Sequence, residues 1–157
     1  MSAVADRAGV AAGTAYVHYD SKDELLIATY VEIKAELAAA AVASLDREAS
    51  LDDQFLQLWH DAYRHLADDP ARARYIIQME ASPYADAAHR RAMERQDPLV
   101  EASAELARYV VDLPPLVVWD LGFGPAIRLA ANPDRTLGAD GLETLARACL
   151  RAVKRPD

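Results

Sequence analysis

The chain has 157 residues, about half of them apolar, with a single cysteine and a formal net charge of −8. The apolar content can build a core and is too high for a disordered chain. Cys149 has no partner for an internal disulfide, and the acidic balance excludes a protein that coats nucleic acid without specificity. No apolar run approaches the roughly 20 residues needed to span a bilayer. The segment Met1-Ser2-Ala3-Val4-Ala5-Asp6 has neither the basic nor the apolar region of a secretory signal. The sequence therefore reads as cytoplasmic, with no membrane partner.

Abundant alanine, scarce glycine and dispersed β-branched residues favour helices throughout. Residues 4–10 read as a short helix stopped at Gly9, which tolerates the left-handed turn. A second short helix is expected over 12–19. Ser21 then supplies an N-cap, and Glu24, three residues on, completes a capping box. Behind it Leu26, Tyr30, Ile33, Leu37, Ala40 and Ala41 recur at helical spacing, predicting one long amphipathic helix to about Asp46. Phe55, Leu58, Trp59, Ala62 and Leu66 mark the next helix, ending before Asp69-Pro70.

Pro70 suits the first turn of a helix to about Ala81 that carries Tyr75, Ile76 and Met79. Ser82-Pro83 breaks it, 85–96 is expected to be helical, and Pro98 opens a piece reaching Asp112. Pro114-Pro115 starts a strongly apolar helix predicted to run unbroken over 116–131, closed by Asn132-Pro133. The last helix is expected from about 140 to 153, with Cys149 a buried structural thiol in its apolar pattern. There is no internal repeat and no convincing strand. The fold class is all-α.

Enzyme chemistry finds little support. A di-iron bundle needs two carboxylate-x-x-His pairs with two further glutamates; only Asp86-x-x-His89 has the spacing, in polar surroundings expected at the surface. A nucleophile elbow is absent, as is a Gly-rich phosphate loop. Asp61 and His65, four apart on one helix, read as a surface pair. No catalytic residue, metal site or cofactor is implied.

The N-terminal spacing is more specific. Two short helices around a Gly turn, followed by a capped long helix, form a helix-turn-helix pattern. The string Ala5-x-x-Ala8-Gly9-Val10-x-x-Gly13-Thr14-x-Tyr16-x-His18-Tyr19-x-Ser21-Lys22-x-x-Leu25-Leu26 closely resembles the DNA-reading motif of TetR-family (tetracycline-repressor-like) transcription regulators. Small Ala5 and Ala8 allow close helix packing. Gly13 and Thr14 stand where a helix N-terminus offers N–H groups and a hydroxyl to a phosphate or base edge. The resemblance implies that Tyr16 and His18 contact the DNA backbone or thymine methyls and that Lys22 binds phosphate. Ala12 and Val17 occupy positions that in relatives often carry polar base readers, which leaves specificity to methyl contacts and DNA shape. Tyr19 reads as a core aromatic.

The resemblance divides the chain into a partial helix-turn-helix subdomain over 1–22 and a helical regulatory, ligand-binding and dimerisation domain over 23–157. Its partners would be double-stranded operator DNA, a small-molecule effector and a second copy of the chain. The family carries a further helix before this motif, so the reader is expected to be N-terminally truncated here. In residues 1–34, Arg7, Lys22 and Lys34 face Asp6, Asp20, Asp23, Glu24 and Glu32, a net −2. Phosphate neutralisation drives affinity for DNA, so this stretch alone should bind it poorly. A dimeric helical ligand- or protein-binding module without DNA binding is the alternative.

In relatives the helices after the motif enclose a cavity, and the last two long helices pair with those of a second subunit. Here those two are 116–131 and 140–153. Candidate cavity residues are Trp59, His60, Tyr63, Tyr75, Met79, Trp119 and Phe123, which combine apolar faces with polar tips. A flat or lipophilic effector suits such walls, and the acidic Asp61, Glu80 and Asp120 could favour a cation. The expected function is a repressor released from its operator by that effector.

Overall fold

The computed structural model describes residues 21–94 and 106–156. Eight helical segments occur among them: α1 (Lys22–Val42), α2 (Leu51–Asp68), α3 (Pro70–Glu80), α4 (Ala85–Met93), α5 (Leu106–Tyr109), α6 (Pro115–Gly122), α7 (Gly124–Ala130) and α8 (Ala139–Val153). No sheet forms among the described residues; a single antiparallel bridge joins Val110 to Lys154. The two short helices predicted over 4–19 lie outside the described residues, as does most of the piece predicted to begin at Pro98.

Local signals set the helix ends. The Ser21 Oγ accepts from the Glu24 N–H at 3.0 Å, so α1 begins at the expected cap. Ser50 caps α2 by accepting from the Asp53 N–H at 3.2 Å. Asp69 caps α3, with Pro70 in its first turn, where a missing N–H costs nothing.

α2 organises the core because its two faces serve two apolar clusters. Leu58, Ala62 and Leu66 meet Tyr30, Leu37 and Ala41 of α1, Ile76 and Met79 of α3, and Ile127 and Ala130 of α7. Phe55 and Trp59, one turn apart on the other side, meet Ala126 of α7 and Ala146, Cys149, Leu150 and Val153 of α8. Cys149 is buried, and burial pushes its thiol above the usual range, as the sequence led us to expect of a structural cysteine.

The apolar helix predicted over 116–131 is not continuous. It breaks at Phe123, whose N–H donates to the Trp119 carbonyl at 2.7 Å to end α6 and whose carbonyl accepts from the Ile127 N–H at 3.1 Å to start α7. Pro125 has no N–H to continue the ladder, and it is tolerated only because it falls in the first turn of a new helix. One further expectation changes. Asp61 pairs not with His65 but with Arg64 at 2.8 Å and with the Ser44 hydroxyl at 2.7 Å. His65 instead meets Arg72 at 3.1 Å.

Candidate ligand cavity and reader helix

α1 carries both halves of the candidate site. At its start Lys22 is exposed next to the Ser21 cap. Ala12, Gly13, Thr14, Tyr16, Val17 and His18 lie outside the described residues, so Lys22 is the one predicted DNA contact with a described position. Further along, Tyr30, Lys34, Leu37, Ala38 and Ala41 follow at i, i+4, i+7, i+8 and i+11, one helical stripe. The stripe shrinks from a phenol to two methyl groups, and space opens beneath it.

That space is a cavity of about 350 Å³, within the range of small-molecule sites. Besides the α1 stripe its wall includes Ala62 of α2, Glu80 of α3, His89, Ala92 and Met93 of α4, and Pro115, Leu116, Trp119 and Phe123 around the start and break of α6. The Trp119 and Phe123 rings stack with centroids 4.9 Å apart and planes inclined by 18°. The Lys34 Nζ stands 3.6 Å from the centre of the Trp119 ring, a cation–π contact. A second cavity of about 480 Å³ shares Glu80, His89, Leu116 and Trp119 with the first and adds Asp86, Asp120 and Arg128.

The polar end is built around Glu80. Its Oε1 accepts from the Tyr30 hydroxyl at 3.3 Å, tying α3 to α1. Burial raises the Glu80 carboxyl above its ordinary range; Lys34 opposes that shift, and the negative charge of Asp120 adds to it. Burial, reinforced by Glu80, raises the Tyr30 phenol as well. The ring of His89 meets that of Tyr30 edge-on at 5.8 Å. Two more tyrosines fasten the first turns of α1: Tyr75 donates to the Leu26 carbonyl at 2.8 Å, and Tyr84 to the Asp23 carboxylate at 2.9 Å.

Of the predicted ligand residues, the structure brings Trp119 and Phe123 together on the cavity wall. The other five stand apart from it. Trp59 is fully buried between α2 and α8, with its indole N–H on the Gly122 carbonyl at 3.1 Å. Tyr63 stacks on Trp59, centroids 5.9 Å apart, and Met79 is buried in the first cluster. His60 meets Glu143 of α8 at 2.9 Å. Tyr75 belongs to the α1 fastening. Sequence reasoning missed Tyr30, Lys34 and His89 as cavity residues. The Tyr-to-Ala stripe on α1 was the available signal, but His89 had none, since its neighbours Arg90 and Arg91 are exposed and masked its inward face. Among the described residues, no group of three or more His, Cys, Asp or Glu is placed to hold a metal ion, and no helix is long and apolar enough to cross a membrane.

The described residues are all-helical, and the capped helix α1 leads into a bundle that holds the cavity. Residues 1–29 match the family model described as bacterial regulatory proteins, tetR family. An HTH-type transcriptional regulator of Haemophilus influenzae is 26% identical over 159 residues, spanning 99% of this chain and 84% of that protein. A tetR family transcription regulator from Shewanella sp. PV-4 superposes with a TM-score of 0.77 at 24% identity, covering 98% of this chain and 86% of that one. One from Marinobacter aquaeolei VT8 does so at 0.72 and 23% identity, covering 98% and 83%. At such identities the solved structures establish the fold. Residues 1–29 thus resemble the tetR-family regulatory segment, and the described helices share their fold with solved tetR-family regulators.

Proposed function

We propose that the protein is a repressor that leaves its operator when a small molecule fills the cavity beneath α1. One observation carries this reading: a single helix bears the exposed Lys22 at its start and Tyr30, Lys34, Leu37, Ala38 and Ala41 on the cavity wall. A ligand that favours one seating of α1 thereby favours one placement of the reading heads. It weakens operator binding by its preference between the two states. In this reading residues 1–22 belong to the reader and 23–157 to the sensor. Gly13 and Thr14 serve a phosphate or a base edge, Tyr16 and His18 the DNA backbone or thymine methyls, and Lys22 a phosphate, while the apolar Ala12 and Val17 leave specificity to methyl contacts and DNA shape. Two copies pair through α6, α7 and α8, so that two heads address one operator.

The test is a mobility-shift titration of the protein on the intergenic DNA upstream of its own gene, with Tyr16→Ala alongside. A shift that vanishes in the variant while the dimer persists supports the reading. A shift unchanged by the substitution removes Tyr16 and its neighbours from the interface.

A further inference from the structure

The cavity wall is apolar except at one end, and that end has a definite charge character. Three carboxylates, Glu80, Asp86 and Asp120, line the two cavities that share this end, against two cations, Lys34 and Arg128. With His89 left uncounted, the balance is one negative charge. α3 ends at Glu80 with no basic residue in its last turn, so the helix end does not offset it. Burial raises the Glu80 carboxyl, and the nearby Lys34 opposes that shift.

The opposite side of the polar end is an aromatic face already in use by an ammonium group. Lys34 Nζ lies 3.6 Å over Trp119, whose other neighbour is the stacked Phe123 ring. Lys34 is tethered to α1 and reaches this face by its own flexible stem. An ammonium arriving on a ligand would meet the same ring and the same carboxylate. A carboxylate ligand would have to pair with Lys34 while standing beside Glu80 and Asp120, a like-charge arrangement that burial penalises.

We infer that the cavity takes a lipophilic organic monocation, an amine or quaternary ammonium on an alkyl or aryl body. Its head lies between the Glu80 carboxylate and the Trp119 ring, and its body lies along Leu37, Ala38, Ala41 and Phe123. The head displaces the Lys34 ammonium, and it shares Glu80 with the Tyr30 hydroxyl. The displaced Lys34 and the Tyr30 that shares Glu80 both belong to α1, so the ligand acts directly on the helix that leads to the reader. This inference rests on the proposed role of the cavity as the effector site.

Isothermal titration calorimetry of the whole chain with decyltrimethylammonium, decanoate and decanol separates the chemistries at a common chain length. The cation is expected to bind and the other two to bind at least about tenfold more weakly. Glu80→Gln, which keeps an acceptor for Tyr30, should weaken the cation roughly tenfold to hundredfold. Lys34→Met should leave cation binding unchanged or tighter. Decanoate binding that is lost in Lys34→Met and improved in Glu80→Gln overturns the assignment in favour of an acid. Equal binding of all three probes, or of none, overturns it as well.

The readout for DNA is kept separate. A mobility shift relieved by decanoate retains the effector-release reading and sinks the cation. Calorimetric binding of decyltrimethylammonium that depends on Glu80 but leaves the shift intact retains the cation and sinks effector release.

Discussion

The indole N–H of Trp59 donates to the carbonyl oxygen of Gly122 across 3.1 Å, joining α2 to the end of α6 where the apolar helix breaks. Trp59 is fully buried, so water cannot replace it as the donor. Trp59→Phe keeps an aromatic ring in the second cluster and removes the bond. The expected loss is about 1–3 kcal/mol, the cost of stranding a buried acceptor, with some added loss of packing. Urea denaturation measures it, and an unchanged midpoint would show that the bond contributes nothing net.

Gly122 itself is not required by space. A methyl group added there would stand 3.5 Å from Val153 Cγ1 and 3.6 Å from the Phe55 ring, ordinary contacts. The residue closes a helix, where glycine is less favourable than alanine by roughly 0.5–1 kcal/mol. Gly122→Ala should therefore raise the unfolding free energy by about that much. Gly122→Leu should lower stability by roughly 1–3 kcal/mol, because the same cleft cannot admit three more carbons. Thermal melts of the two variants in opposite directions would establish that the cleft has the size described.

The helix order was legible because its signals are local. Ser21 with Glu24, Pro70 after Asp69 and the apolar periodicity of α2 and α8 each act within one or two turns. The break at Phe123 was also written locally, in Gly124-Pro125, but the apolar run on both sides masked it. The cavity was legible only in part. Trp119 and Phe123 were found by size and polarity, whereas Trp59, Tyr63 and Met79 have the same character and lie in the core. The choice between core and cavity is made by what faces a residue from another helix. Ala38, Ala41 and Ala62 leave room opposite Trp119, and nothing within the α6 sequence records that.

The imidazole of His65 provides a measurable pH response. Burial, then the nearby Arg72, lowers its pKa below the ordinary 6.5. The unfolded chain therefore binds this proton more readily than the folded one. The contribution is fully present above 6.5 and is lost as pH falls through 6.5 toward the lower folded value. Stability should decline from pH 7 to 5.5, and His65→Gln should flatten that decline. The difference between the two proteins isolates His65 from the other histidines. Parallel curves for the two would mean that His65 titrates alike folded and unfolded.

The outer face of α6 supplies the test of assembly. Leu113, Val117 and Leu121 are 46%, 41% and 40% exposed, large apolar side chains before and along one short helix, and Leu116, which also lines the cavity, is 51% exposed. Single exposed leucines are ordinary, but a contiguous apolar stripe is the kind of surface that a partner subunit covers. A two-fold pairing of this face would bring each stripe against its own copy, and obligate interfaces of that kind bury roughly 2,000 Å² or more. Val117→Arg with Leu121→Arg places two charges per subunit in the contact and touches neither core cluster. Light scattering coupled to size exclusion should report a dimer for the parent chain and a monomer for the variant, with helical content unchanged by circular dichroism. A parent chain that elutes as a monomer at micromolar concentration would leave the stripe without its second copy. A variant that stays dimeric would move the contact to another face.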